Sequence, residues 1–181
     1  MQDKIIVTDS SLRDGNHSVK HTISLTDIKK YCVFAEKSKI PIVEVGHGNG
    51  LGASSLLIGR ATHTDYDMLK TAKENLKNSK LGVHVIPGLA TIEKDIKPAI
   101  DLGVDVFRVA THCTEATISK THIEFLKKQN KKVFGVLMMS ALSDEDSLLE
   151  NAKIMEDYGA EAIIVMDSTG TFLPNDVKSR I

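Results

Sequence analysis

Val7-Thr8-Asp9-Ser10-Ser11-Leu12-Arg13-Asp14-Gly15-Asn16-His17 is the stretch whose reading decides the fold. An apolar strand over Lys4 to Thr8 runs into a turn that breaks at Gly15 and carries a guanidinium, a carboxylate and an imidazole within five residues. In parallel α/β architectures the loops beyond the carboxyl ends of the strands form a concave rim, and ligands bind there. At such a rim Asp14 can hold a hard cation, Arg13 can neutralise an oxyanion and His17 can move a proton near neutral pH. A surface turn with a salt bridge would use the same residues, so the rest of the chain has to decide.

Working outward, six short runs rich in Val and Ile alternate with helical patterns: Lys4 to Thr8, Ile40 to Gly46, Lys80 to Ile86, Asp105 to Ala110, Lys132 to Met139 and Glu161 to Met166. Each ends in a polar or glycine-rich loop, the signature of repeated βα units on a parallel sheet. Ser24 or Thr26 caps a first helix with Ile28, Tyr31, Cys32 and Ala35 at helical spacing, and a second over Asp65 to Lys77 turns Met68, Leu69, Ala72 and Leu76 inward. The third, Thr91 to Leu102, contains Pro98, which predicts a kink or a displaced start. The fourth carries Ile118, Ile123, Phe125 and Leu126, and the fifth, opened by a Ser143–Asp146 capping box, turns Leu148, Leu149, Ala152 and Met155 inward. A sixth begins at Leu173 and is unfinished at Ile181.

Asp101-Leu102-Gly103-Val104-Asp105 and Asp157-Tyr158-Gly159-Ala160-Glu161 echo each other as helix, glycine stop, acidic residue and strand. Such repetition predicts a (β/α)8 TIM barrel, incomplete, with six of its eight βα units present. The loop His47 to Ser55 is too glycine-rich for helix and is expected to fold over the rim. It lacks both GxGxxG and GK[ST], which argues against a nucleotide site.

Composition narrows the function classes. A 41% hydrophobic content supports a sizeable core in one domain. A net charge of -1 and 4% aromatic residues leave no basic patch and few stacking platforms, which disfavours nucleic-acid binding. Cys32 and Cys113 lie far apart without CxxC spacing, which argues against both a disulfide framework and a cysteine metal site and fits a reducing cytosol. With no signal-like segment and no apolar run near the ~20 residues of a membrane span, a soluble cytoplasmic protein is expected.

The strand-end motifs can now be read together: Asp9-Ser10-Ser11-Leu12-Arg13-Asp14-Gly15 with His17, Glu44-Val45-Gly46-His47-Gly48, Arg108-Val109-Ala110-Thr111-His112-Cys113-Thr114-Glu115, Leu137-Met138-Met139-Ser140 and Asp167-Ser168-Thr169-Gly170. They resemble the family of metal-dependent barrels that includes 3-hydroxy-3-methylglutaryl-CoA lyase and isopropylmalate synthase, over essentially the whole chain. His47 with its glycine loop and the Thr111 to Glu115 run resemble its 4-hydroxy-2-oxovalerate aldolase branch. Ser11 stands where the wider family carries threonine and keeps the hydroxyl. The family's His-x-His pair on the seventh strand and the aldolases' tyrosine near the C-terminus do not occur within residues 1–181.

The resemblance implies a lyase that cleaves a 4-hydroxy-2-oxo acid to pyruvate and an aldehyde with a divalent cation, Mn²⁺ first and Mg²⁺ or Co²⁺ as alternatives. It implies Asp14 as a metal ligand, with the remaining ligands beyond residue 181, and His17 as the base that takes the C4 hydroxyl proton. Arg13 would bind substrate and stabilise the enolate, Glu44 would orient Arg13, and Ser168 would donate to the substrate carboxylate or oxo group. An acylating aldehyde dehydrogenase partner, an oligomeric assembly and a place in aromatic hydrocarbon catabolism come by the same resemblance. A Claisen-type acyl transferase or lyase on this scaffold is the competing enzyme reading, and a non-catalytic binding subunit the competing class.

Plainer structural readings stay open for single residues. Glu44 also suits a rim salt bridge, Ser168 a turn cap, His47 and His112 hydrogen-bonded scaffold positions, and Met138-Met139 core and pocket wall. Arg108, mid-strand, either pairs inside the barrel or lies outward under a helix. With the seventh and eighth strands absent, the first and sixth are expected to expose unpaired backbone and about five aliphatic side chains. That forfeits on the order of 10 kcal/mol, as much as the net stability of a typical domain. Residues 1–181 are therefore expected to be the N-terminal two thirds of a barrel domain, continuing in a longer chain or pairing its open edge with another one.

Overall fold

The computed structural model describes residues 5–181. Their contacts gather into two compact units, one up to Val106 and one from Phe107 onward.

The first unit contains β1 (Thr8–Leu12), α1 (Gly15–Ser18), α2 (Leu25–Lys37), β2 (Ile42–Val45), α3 (Asp65–Asn75), β3 (Lys80–Val85) and α4 (Lys97–Asp101). β1 pairs parallel with β2, Thr8 facing Ile42, and β2 pairs parallel with β3, Ile42 facing Lys80. All four residues of β2 and five of the six of β3 are buried, as expected of a parallel sheet covered by its crossover helices. α2 covers it with Ile28, Cys32 and Ala35, and α3 with Met68, Leu69 and Ala72. Ser24 and Thr64 open these helices, each hydroxyl accepting the N–H three residues on. Burial pushes the Cys32 thiol up to about 12, which makes it an inert core residue.

Two expectations about this unit are corrected. The first strand does not run from Lys4 to Thr8. Lys4 lies outside the described residues, Ile5 to Val7 are exposed and not in strand, and β1 begins at Thr8. The reason is the partner: Thr8 faces the first residue of β2, which starts only after Pro41, a residue without an N–H to give to a ladder. The third helix is not uniform either. A π-helical turn over Ile92–Ile96 feeds into α4, and Pro98 sits in the first turn of α4, where its missing N–H costs least. The loop after β2 carries no regular element until α3, apart from a narrow antiparallel bridge between Ser55 and Gly59.

The second unit contains β4 (Val106–His112, entering at the boundary), α5 (Lys120–Lys128), β5 (Lys132–Met138), α6 (Glu145–Asp157), β6 (Ala162–Val165) and α7 (Pro174–Arg180). The strands follow sequence order, and β5 pairs parallel with β6, Phe134 facing Ala162. The core comes from Phe107, Val109, Val133, Val136 and Leu137 on the strands and Ile123, Leu126, Leu148 and Met155 on the helices. β6 is only half-buried and α7 has no buried residue. Ile118 and Leu149 are exposed rather than inward, Ile118 because it sits in a 3-10 turn before α5. The N-cap of α6 is Asp144, which accepts from Ser147 N–H, and not Ser143.

The two echoing phrases form equivalent joints. Gly103 and Gly159 stop their helices at φ 86° and 111°. Asp105 receives Lys73 Nζ at 3.1 Å and gives its N–H to the Leu81 carbonyl, and Glu161 receives Lys127 Nζ at 3.1 Å and gives its N–H to the Val133 carbonyl. The α/β class and the six βα units of an incomplete (β/α)8 barrel are thus both present, three units on either side of the boundary.

Candidate active site at the end of β1

The turn after β1 closes when the N–H groups of Arg13 and Asp14 both donate to the Ser10 carbonyl, at 3.0 and 2.7 Å. Asn16 then bolts it to the end of β2. Its buried side chain donates to the Gly46 carbonyl at 3.1 Å and accepts from Ile23 N–H at 3.4 Å. Behind the turn, Asp9 accepts from Tyr31 Oη at 2.5 Å and from Ser11 N–H at 2.8 Å. Burial works to raise the Asp9 carboxyl, and these donors outweigh it and hold the group below its ordinary value.

Arg13 is the centre of the arrangement. Its Nε donates to Glu44 Oε1 at 2.5 Å, and Nη1 donates to Asp14 Oδ1 at 2.9 Å and to the Gly48 carbonyl at 3.1 Å. The side chains of Arg13, Glu44 and Asp14 are 8%, 0% and 67% exposed, so a fully buried carboxylate anchors a guanidinium whose other flank faces an open one. Glu44 sits inside an otherwise aliphatic strand and is tolerable there only as a partner of charge. Asp14, with one oxygen already accepting from Arg13 and most of its surface open, fits an oxygen position in the shell of a hard divalent cation. Among the described residues no three His, Cys, Asp or Glu gather as a metal cage.

Gly48 also meets the imidazoles. The His17 ring is exposed and makes no side-chain hydrogen bond among the described residues; a Cβ at Gly48 would lie 2.4 Å from its Nε2. The His21 ring meets it edge-on at 5.1 Å, and His47 stacks on His21 at 3.7 Å. His47 is wholly buried, with Nδ1 accepting from Asn49 N–H and Nε2 against the Gly59 carbonyl, both at 3.1 Å, so it is a scaffold histidine. Burial, followed by the neighbouring imidazoles, holds His21 below the usual histidine range, and burial does the same to His47.

Of the residues singled out from sequence, the structure joins Asp14 and Glu44 to Arg13, and brings Arg13 and His17 to Gly48, all in the first unit. Ser168 belongs to the second, where its hydroxyl accepts from Met139 N–H at 3.0 Å. His112 is there too, with Nδ1 at 2.9 Å from Thr114 Oγ1. Asn16, His21 and Gly48 as contact residues were not foreseen. Asn16 and Gly48 lay inside quoted motifs, whereas nothing local to His21 marks it.

Residues 4–181 match the HMGL-like family. The chain is 59% identical over 177 residues to a 4-hydroxy-2-oxovalerate aldolase of Spirochaeta aurantia, covering 98% of this chain and 52% of that protein. It is 50% identical over 181 residues to the enzyme of the same name from Pectobacterium atrosepticum, covering 100% and 53%. The chain therefore spans about half the length of these curated relatives. Among solved structures, the carboxyl transferase domain of Rhizobium etli pyruvate carboxylase superposes with a TM-score of 0.79 at 18% identity, over 99% of this chain and 33% of that one, a likeness of fold.

Proposed function

The chain belongs to the HMGL-like family, and on that premise we propose that the protein carrying it cleaves a 4-hydroxy-2-oxo acid of the 4-hydroxy-2-oxovalerate type to pyruvate and an aldehyde. The observation that carries the reading is Arg13: a guanidinium held by Glu44 and the Gly48 carbonyl, beside an open carboxylate, with an exposed imidazole packed on the same Gly48.

The chemistry follows from those groups. His17, with no hydrogen bond of its own to surrender, takes the proton of the C4 hydroxyl as the C3–C4 bond breaks. The electron pair of that bond becomes the enolate of pyruvate, the C4 carbon leaves as the aldehyde, and a proton returned to C3 completes pyruvate. Arg13, its position set by Glu44, faces the charge that grows on the 2-oxo oxygen; removing one such donor typically costs about 10² to 10³ in rate. Asp14 would help hold a divalent cation, Mn²⁺ ahead of Mg²⁺ or Co²⁺, which when bound supplies Lewis-acid polarisation of the oxo acid. Ser168 is assigned to the substrate carboxylate or oxo group.

The relatives' names support this substrate. A place in aromatic hydrocarbon breakdown, an oligomeric assembly and an acylating aldehyde dehydrogenase that consumes the aldehyde complete the reading. Two free, buried cysteines fit a reducing cytoplasm, and among the described residues no helix is long and apolar enough to cross a membrane. The test is pyruvate release from 4-hydroxy-2-oxovalerate by the intact natural protein with Mn²⁺. Release that depends on Arg13 and His17 is expected. Consumption of acetyl-CoA with a 2-oxo acid acceptor and no pyruvate release would overturn it in favour of Claisen chemistry.

A further inference from the structure

We infer that the stacked rings of His21 and His47 form the seat that fixes the imidazole of His17, which makes both of them positioning residues for the proton transfer assigned to His17. The inference rests on the retro-aldol reading for its catalytic consequence and on geometry alone for the seat.

A general base is usually aimed by a hydrogen bond to its second nitrogen. His17 has none among the described residues, and its ring is exposed, so packing has to aim it. Two surfaces do so. One is the bare backbone of Gly48, whose missing side chain leaves the room the His17 ring occupies. The other is the edge of His21, 5.1 Å away at an interplanar angle of 69°. His17 also lies 6.5 Å from His47, so the three rings form one cluster with His17 outermost.

The cluster is rigid from the inside out. His47 is bonded to backbone at both nitrogens and cannot turn. His21 lies flat on it at 3.7 Å and 18°, and its Nδ1 takes a long contact of 3.4 Å from Gly48 N–H, the same residue that floors His17. The backbone is bent to bring His21 there. Lys20 and His21 both adopt left-handed φ, 52° and 60°, an uncommon conformation for consecutive residues with side chains. His21 is tied in that bend at both ends, its N–H to the Asn16 carbonyl at 2.7 Å and its carbonyl to Thr62 N–H at 3.0 Å. Strain held this firmly beside a candidate base points to a role in the site. The acceptor positions put the proton of each neutral ring on Nε2, and the burial that keeps His21 and His47 below the usual histidine range agrees with that.

Two substitutions in the intact natural protein separate the ring from the hydrogen bond. His21→Asn tolerates left-handed φ and keeps an acceptor for Gly48 N–H, but removes the flat edge. His21→Phe restores the ring without the acceptor. Histidine-labelled NMR reads the seat through the nuclear Overhauser contact between the His17 ring and Gly48 Hα, and steady-state kinetics read its consequence. We expect the Asn variant to lose the contact and about tenfold or more in kcat, with KM within twofold, and Phe to recover the contact and most of the lost kcat. A contact or a kcat unchanged by His21→Asn overturns the seat. Loss of kcat in the Phe variant alone overturns the ring's part in favour of the hydrogen bond, and equal loss in both variants overturns it too, since restoring the ring then restores nothing. If the wild-type protein releases no pyruvate while the contact still follows the ring, the retro-aldol reading fails and the seat stands.

Discussion

Replacing Gly48 by alanine tests the site with one methyl group. Gly48 does not have a left-handed φ, so an alanine adopts its backbone without strain. The new Cβ would stand 2.4 Å from His17 Nε2 and 2.5 and 2.6 Å from two ring carbons, so the ring must retreat by about 1 Å to reach ordinary contact. Because that ring is exposed, it can move without opening the core, and the unfolding midpoint should stay within a few degrees of wild type. A base misplaced by 1 Å costs about 10²-fold in rate, near 2.7 kcal/mol in the barrier. The Arg13 contact to the Gly48 carbonyl is untouched by the substitution, so KM should change little. The assay is pyruvate release coupled to lactate dehydrogenase, followed by loss of NADH absorbance. A folded Gly48→Ala protein with kcat within threefold of wild type would refute the reasoning.

Four further outcomes follow from the same structure. Glu44→Ala leaves the buried Arg13 guanidinium without its fully buried partner and should destabilise the fold by about 3–5 kcal/mol; a urea midpoint equal to wild type would mean the pair is not buried as described. Asp14→Asn should weaken Mn²⁺ binding at least about tenfold in calorimetric titration, and equal affinity would remove Asp14 from the metal shell. Glu36 accepts from the Ser79, Lys77 and Asn78 backbone and the Asn78 side chain, Ser79 foremost, and is held at about 2 against an ordinary 4.5. The unfolded chain therefore takes up this proton first, so the contribution is whole above about pH 4.5 and drains as pH falls toward 2; Glu36→Gln should flatten that acid limb in urea unfolding, and an unchanged limb rejects the assignment. Cys32 and Cys113, both buried and free, should not react with Ellman's reagent at about pH 8 until the protein unfolds; prompt labelling would contradict their burial.

The βα alternation was legible because strands buried on both faces must be continuous aliphatic runs, and β2 and β3 are. The Arg13–Glu44 pair came from the resemblance, and the structure gives it a physical reason, since a carboxylate within Ile42-Val43-Glu44-Val45 needs a cation nearby. Strand ends were less so. Ile5-Ile6-Val7 has every local reason to be strand, but extent is set by the neighbour, and β2 begins too late to meet it. Leu149 matched the helical template, yet the buried stripe of α6 runs through Leu148, Asn151 and Met155. His21 was invisible because its position depends on two residues in left-handed φ, a choice enforced by tertiary hydrogen bonds and not by Lys20 or His21 themselves.

The joints at Asp105 and Glu161 bear on how such a chain is put together. Each acid ties the start of the preceding strand and the lysine of an earlier helix, so the entry point of a new strand is indexed by parts synthesised just before it. Surface ion pairs of this kind are worth only about 0–1 kcal/mol, so their use is alignment more than strength. A nascent sheet can therefore add one course at a time, each laid square on the last, with its phase settled long before any ring is complete.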